Sequence, residues 1–298
     1  VQSRLGVKRG KTLDPRRAGP EGGWPANAGS GTFRPMSSQP LEALPAHRAR
    51  RIAGLFTDLD DTLTSEGRLT EAAYAALWRL QGLGIPVVVV TGRPAGWCDA
   101  LARLWPVLGV VGENGALAFR YDRAARRMER RYALDPDARA AAAAELDAVR
   151  RDVARTVPEA RVAADQPFRE FDLAIDFAED VGPLPPERVE AIRAAFEARG
   201  ARAKVSSIHV NGWFGDYDKL TMIRAAAAAW LGWQDGLPAG ALYVGDSPND
   251  EPAFAAFPVS VGVANVADFA ERLQRPPTFV TRARGGDGFA ELVEHLAR

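Results

Sequence analysis

Asp58-Leu59-Asp60-Asp61-Thr62 closes an apolar run that begins at Ile52. Side chains alternate in extended backbone, so Asp58 and Asp60 project to the same side. Two carboxylates at one strand end repel each other unless a cation sits beside them. Mg²⁺ suits such a place because it takes hard oxygen ligands and often only one or two carboxylates. The carboxyl edge of an open α/β sheet is also where ligands bind. The same acids would serve equally to cap the next turn, as Asp commonly does. A second acidic pair lies in Gly245-Asp246-Ser247-Pro248-Asn249-Asp250, after the apolar run Ala241 to Val244. There Asp246 could complete a metal site, and Asp250 could orient Lys219 or Asp246 from behind. Thr91-Gly92-Arg93 ends a third apolar run, where a small hydroxyl and adjacent backbone N–H groups can hold phosphate oxygens. Taken singly, Thr-Gly-Arg is an ordinary turn and Lys219 a solvated lysine at a helix start. Their order and common position at strand ends single them out.

The elements that must carry these residues follow from hydrophobic periodicity. Strands are expected at Ile52 to Leu59, Ile85 to Val90, Leu108 to Val111, Ala241 to Val244 and Val259 to Val263. Helices are expected at Thr70 to Gly82, opened by a Thr cap, and at Pro94 to Leu104, Leu220 to Leu231 and Glu251 to Ala256. Alternating strands and helices imply a parallel sheet with helices on both faces. Ala116 to Tyr121 and Met128 to Tyr132 read as a hairpin. Between them and Asp218 the pattern changes to two helices, Pro136 to Val157 and Pro186 to Arg199, and strands at Phe171 to Phe177 and Ala203 to Val210. The expected fold is therefore an α/β, Rossmann-like parallel sheet core, residues 51–118 and 214–298, interrupted by an inserted α+β domain at 119–213. Residues 1–50 are rich in Gly, Pro, Ser and Arg without periodicity and are expected to be a disordered leader, with Met36 a candidate natural start.

Composition narrows the function. Lys+Arg and Asp+Glu both number 38, so no net field draws the molecule to nucleic acid or an anionic membrane. Cys98 is the single cysteine, which excludes an intrachain disulfide and suits a cytoplasmic protein; on its expected helix it reads as a small packed side chain. No segment reaches the roughly 20 apolar residues that a membrane helix needs.

From about Leu55 to its end the chain resembles the haloacid dehalogenase superfamily, within it the phosphatases whose larger cap follows the second motif. The first motif, Asp-x-Asp-x-Thr, matches Asp58, Asp60 and Thr62. The second matches Thr91, the third Lys219, and the fourth, Gly-Asp-x-x-x-Asp, matches Gly245, Asp246 and Asp250, with Asn249 also as in this subgroup. The resemblance implies that Asp58 attacks phosphorus to give an aspartyl-phosphate and that Asp60 acts as acid and then base. It further implies that Mg²⁺ is held by Asp58, Asp246 and the carbonyl of Asp60, and that Lys219 and Thr91 position the phosphate oxygens, beside Gly92. Dehalogenases of the family lack the second acid and need no metal, so Asp60 favours phosphoryl chemistry.

The expected substrate is a small phosphorylated metabolite, first of all a sugar phosphate, as in the trehalose-, sucrose- and mannosyl-phosphoglycerate phosphatases of the neighbouring subgroup. Substrate contacts are expected from Arg93, from Asn114 in Glu113-Asn114-Gly115, and from Arg169, Gln166, His209 and Asn211, with Trp213 on the same strand face. A plain turn and a half-exposed strand would give the same patterns without function. A phosphomutase and a non-catalytic phosphate-binding regulator remain as alternatives, and oligomeric state is open.

Overall fold

The structure, a computed structural model, describes residues 38–206 and 208–298. Its first stretch runs through β1 (Gln39–Pro40), α1 (Ala46–Ala49), β2 (Gly54–Asp58), β3 (Thr64–Ser65), β4 (Arg68–Leu69), α2 (Glu71–Gly82), β5 (Val87–Val90), α3 (Ala95–Leu104), β6 (Gly109–Gly112), β7 (Leu117–Asp122) and β8 (Arg127–Tyr132). A middle stretch holds α4 (Pro136–Thr156), β9 (Arg161–Val162), β10 (Leu173–Asp176), α5 (Pro186–Glu197), β11 (Arg202–Val205) and β12 (His209–Trp213). The last holds α6 (Lys219–Leu231), β13 (Ala241–Gly245), α7 (Glu251–Ala256), β14 (Val259–Gly262), β15 (Phe279–Val280) and α8 (Gly285–Leu296).

The large sheet has the order β1-β15-β14-β13-β2-β5-β6-β7-β8. Every pairing from β1 across to β6 is parallel, and the β7–β8 hairpin adds antiparallel to β6. Parallel strands buried on both faces read as unbroken apolar runs, which is why they were visible in the sequence. Leu55, Val87, Val89, Leu242 and Val244 join α2, α3 and α8 in one apolar layer. Phe56, Val88, Val90, Ala241 and Tyr243 join α6 and α7 in the other. The expected α/β class, with an α+β unit inserted in it, is the one the chain adopts.

The smaller sheet, ordered β11-β12-β10-β9, is antiparallel throughout. One face is covered by α4 and α5, whose Leu146, Val149, Ile192 and Phe196 pack on Leu173, Ile175 and Val210. Gly212 of β12 lies so close to the Phe196 ring that no side chain fits there. The opposite face of this sheet looks towards the carboxyl edge of the large one. Arg169 Nη1 donates across to the Gly92 carbonyl at 3.2 Å. The described residues belong to one compact unit, and none of its helices is long and apolar enough to cross a membrane.

Three expectations need correction. The leader was drawn to residue 50; residues 1–37 lie outside the described part, but from Gln39 the chain joins the large sheet and from Leu41 it enters the core. There β1 pairs with β15, Leu41 and Leu44 are buried, and His295 of α8 bonds the Leu44 carbonyl at 3.0 Å. Composition averaged over 50 residues hid this small apolar set. The inserted unit was drawn from residue 119, yet the hairpin to Tyr132 continues the large sheet through the pair Val110↔Phe119. Finally, Ala203 to Val210 is two strands. Ser206 turns the chain between them, its hydroxyl accepting from His209 N at 2.9 Å while its own N–H donates to His209 O at 2.8 Å.

Candidate active site

Parallel register brings the expected strand ends together. Asp58 closes β2 opposite Val90, the last residue of β5, so Thr91 lies one step beyond that strand end. On the other side Thr57 pairs with Val244, which sets Gly245 and Asp246 at the same edge. Asp218 accepts from Thr221 N at 2.7 Å as the cap of α6, which makes Lys219 the first residue of that helix. From there its Nζ lies 2.6 Å from Asp58 Oδ1 and 3.9 Å from Asp250 Oδ1.

Asp250 is a brace. Its Oδ2 accepts from the N–H groups of Asp246 and Ser247 at 3.0 and 3.3 Å, and its Oδ1 accepts from the Tyr243 hydroxyl at 2.6 Å. Gly245 is glycine because Asp250 packs directly against its backbone. Asn249 sits half-buried in the same turn. Asp58, Asp246 and Asp250 each offer an oxygen within 4.8 Å of the others. Because both oxygens of Asp250 are bonded, Asp58 and Asp246 are the two that retain room for a cation. Asp246 Oδ1 also receives the Thr62 hydroxyl at 3.3 Å.

The electrostatics show the strain of this packing. Burial pushes Asp58 up to about 7 despite Lys219, and burial with Asp58 and Asp250 pushes Asp246 up to about 8. Burial works against the Lys219 ammonium, but Asp58 and Asp250 outweigh it and its pKa rises. Among the described residues these three buried carboxylates have one ammonium at ion-pair distance, an arrangement that a further cation would relieve.

The Asp60 side chain turns away from this cluster. Arg93 Nη2 and Nε donate to its Oδ1 at 2.9 and 3.1 Å, and the Thr91 hydroxyl approaches its Oδ2 at 3.5 Å. The Arg93 guanidinium lies over the Trp97 ring, 4.7 Å from its centre, and its backbone N–H donates to Thr91 Oγ1 at 3.0 Å. Asn114 is buried, held by its N–H on the Thr91 carbonyl at 3.2 Å, with its side chain against Gly92.

The expected substrate residues of the smaller unit are engaged with one another. Arg169, only 2 % exposed, forks onto Asp165 and Asp172 as well as Gly92 O, so it is a strut. Gln166 spends both amide atoms on the backbone of Asp172 and Ala174. Asn211 donates to Asp172 Oδ2 at 3.0 Å. His209 Nε2 lies 2.8 Å from Glu179 Oε2, though the two are not aligned as a hydrogen bond. Trp213 is buried and stacked on Tyr217. His209, Asn211 and Trp213 do share a face, but it is a packed one.

Two residues escaped the sequence reading. Glu113 accepts from the N–H groups of Ala95 and Glu170 at 2.9 Å through Oε1, and from Phe171 and Asp172 at 2.7 and 3.2 Å through Oε2. It thus binds the smaller unit to the end of β6. Lys204 lies on β11 opposite Asn211. Glu113 carries no sequence signal beyond its place at a strand end, and Lys204 becomes visible only once the turn at Ser206 is known.

Comparison with known proteins agrees with this architecture. The family model described as haloacid dehalogenase-like hydrolase matches residues 55–148. A phosphoglycolate phosphatase of Pyrobaculum neutrophilum is 30% identical over 248 residues, covering 80% of this chain and 93% of the relative. One from Methanosarcina mazei is 27% identical over 261 residues, covering 83% and 97%. Among solved structures, a Thermoplasma acidophilum protein superposes with a TM-score of 0.65 at 18% identity, over 83% of this chain and 98% of that one.

Proposed function

Because the chain belongs to the haloacid dehalogenase-like hydrolases and is a phosphatase, we propose that it hydrolyses a small phosphorylated metabolite through a phosphoryl group carried on Asp58, with Mg²⁺ as cofactor. The observation that carries this reading is the charge at the carboxyl edge: Asp58, Asp246 and Asp250 are buried together, and among the described residues Lys219 is the one cation at ion-pair distance from them. The remaining oxygens of Asp58 and Asp246, with the main-chain carbonyl of Asp60, are hard donors of the kind Mg²⁺ takes. When bound, the ion would offset the repulsion between the attacking carboxylate and the phosphate.

An Asp58 oxygen forms the new bond to phosphorus while the ester P–O bond breaks and its electron pair leaves on the alcohol oxygen. Asp60 gives that oxygen a proton, then takes one from the water that hydrolyses the acyl phosphate. Arg93 holds Asp60 in the present arrangement; turning onto the substrate would free Asp60 and supply the phosphate with a cation. Lys219 and the Thr91 hydroxyl, beside the Gly92 backbone, position the other phosphate oxygens.

The smaller unit acts as a cap over this edge, tied down through Arg169 and Glu113. A protein-borne phosphate would not pass beneath it, whereas sugar phosphates and short phosphorylated acids would. The two curated relatives carry the name of a substrate in the second class. Release of inorganic phosphate from a panel of phosphomonoesters, with Mg²⁺ and with EDTA, tests the reading. Phosphate should appear only with the metal and only from small esters. Isomerised esters in place of phosphate would mark a phosphomutase, and no turnover of any ester a binding protein.

A further inference from the structure

β11 and β12 pair with Ala203 opposite Gly212 and Lys204 opposite Asn211. Ala203 packs into the apolar layer under α4 and α5, and Gly212 faces Phe196 in that layer. Alternation therefore delivers Lys204 to the other face of the sheet. On that face Asn211 meets Asp172, and Arg169 ties Asp172 to Gly92 of the carboxyl edge. The Lys204 ammonium is near enough to Lys219, Asp250, Asp58 and Asp218 for their charges to act on it.

Its neighbours are otherwise spoken for. Lys219 is on Asp58, Arg93 on Asp60, and Arg169 on Asp165 and Asp172. Among the described residues Lys204 has no hydrogen bond or ion pair of its own through its side chain. Burial, then the Lys219 charge, push its pKa down to about 8. A half-buried ammonium beside a second cation is unfavourable until an anion joins it. Lys219 addresses the nucleophile and phosphate from the core, while Lys204 approaches from the cap, where the rest of the substrate must lie.

We propose that Lys204 is a specificity residue that binds a carboxylate on the leaving portion of the substrate, so that short phosphorylated acids are preferred to neutral phosphate esters of the same size. This rests on the phosphatase reading above. It would also explain why the face of His209 and Asn211 is closed on itself: recognition of a small acid needs a cation and little else.

The test compares kcat/KM for phosphoglycolate with that for ethylene glycol monophosphate, and for 3-phosphoglycerate with glycerol 3-phosphate. It uses the full chain as wild type, Lys204→Met and Lys204→Arg, each checked by thermal unfolding. The wild type should favour each acid by about 10-fold or more, the worth of one charge-assisted hydrogen bond. Lys204→Met should collapse that ratio, and Lys204→Arg, which also covers a fold failure of the first variant, should keep most of it. An acid-to-neutral ratio near one in the wild type, or equal losses on both esters in Lys204→Met, would overturn the inference while leaving the phosphatase reading intact. Turnover of none of the four esters, with other phosphomonoesters also inert, would overturn both.

Discussion

The Nζ of Lys219, the first residue of α6, lies 2.6 Å from Asp58 Oδ1, the last side chain of β2. The two residues are 161 positions apart, and the whole inserted unit separates them. Their pairing lets a carboxylate be buried beside two others at the point where an anionic substrate is to arrive.

That pairing gives opposite stability effects for its two members. Lys219→Met leaves three buried carboxylates without their cation and should destabilise the protein in EDTA by about 3 kcal/mol. Asp58→Asn removes one of the repelling charges and should leave the melting temperature in EDTA equal to or above that of the wild type. Both should lose phosphate release by about 10³-fold or more. Thermal unfolding of the two variants in EDTA checks this, and a large loss of stability in Asp58→Asn would contradict it.

Arg169 ties Asp165, Asp172 and the Gly92 carbonyl together, and that sets its expected phenotype. Arg169→Met leaves Asp165 and Asp172 without their guanidinium and should cost about 3 kcal/mol or more of stability. Urea unfolding measures it. A variant as stable as wild type, with only a raised KM, would restore the substrate-contact role.

Glu113 supplies a pH dependence. Burial first, and then Asp172, push its pKa to about 8 from the ordinary 4.5, against the N–H donors that favour the carboxylate. Between those values the folded state holds a proton that the unfolded chain has lost. The stability this group contributes is therefore complete below pH 4.5 and is lost as pH rises through about 8, at a rate of up to about 1.4 kcal/mol per pH unit. Glu113→Gln removes that slope, so the stability of the wild type relative to the variant should fall steadily from pH 5 towards pH 8. Urea unfolding of both proteins in EDTA across that range reads it, because all other carboxylates are shared. A difference that stays constant across that range would show that the N–H donors win and Glu113 is ionised throughout.

The segment before β2 belongs to the folded unit and not to a leader. Leu44 is 1% exposed and packs under α8 with Leu41. Leu44→Ala should cost about 2–5 kcal/mol, and deletion of residues 1–45 should lower the melting temperature clearly. An unchanged melting temperature in both would return these residues to the leader.

What the sequence made legible were positions set by local pattern. Asp58, Thr91 and Asp246 each end a strand whose burial on both faces leaves an apolar run, and Thr70 announces α2 as its cap, accepting from Ala73 N at 3.2 Å. Lys219 gained meaning only through resemblance, because a lysine at a helix start is ordinary. The partners of Arg169, His209 and Asn211 depend on the register of β10 with β12 and on docking of one unit against another, which no single-strand periodicity carries. Lys204 was hidden by a turn read as continuous strand. Leu41 and Leu44 were hidden because two leucines among many Gly, Pro and Arg residues do not change an average.

The central claim is that the phosphoryl group passes through Asp58. Single turnover of a ³²P-labelled phosphomonoester that the enzyme hydrolyses, quenched in acid within the first turnover and digested, tests it most directly. Label should appear transiently on the peptide containing Asp58, and disappear when EDTA is present or Asp58 is Asn. Labelled phosphate released at the full rate with no label on that peptide, or by Asp58→Asn itself, would contradict the account.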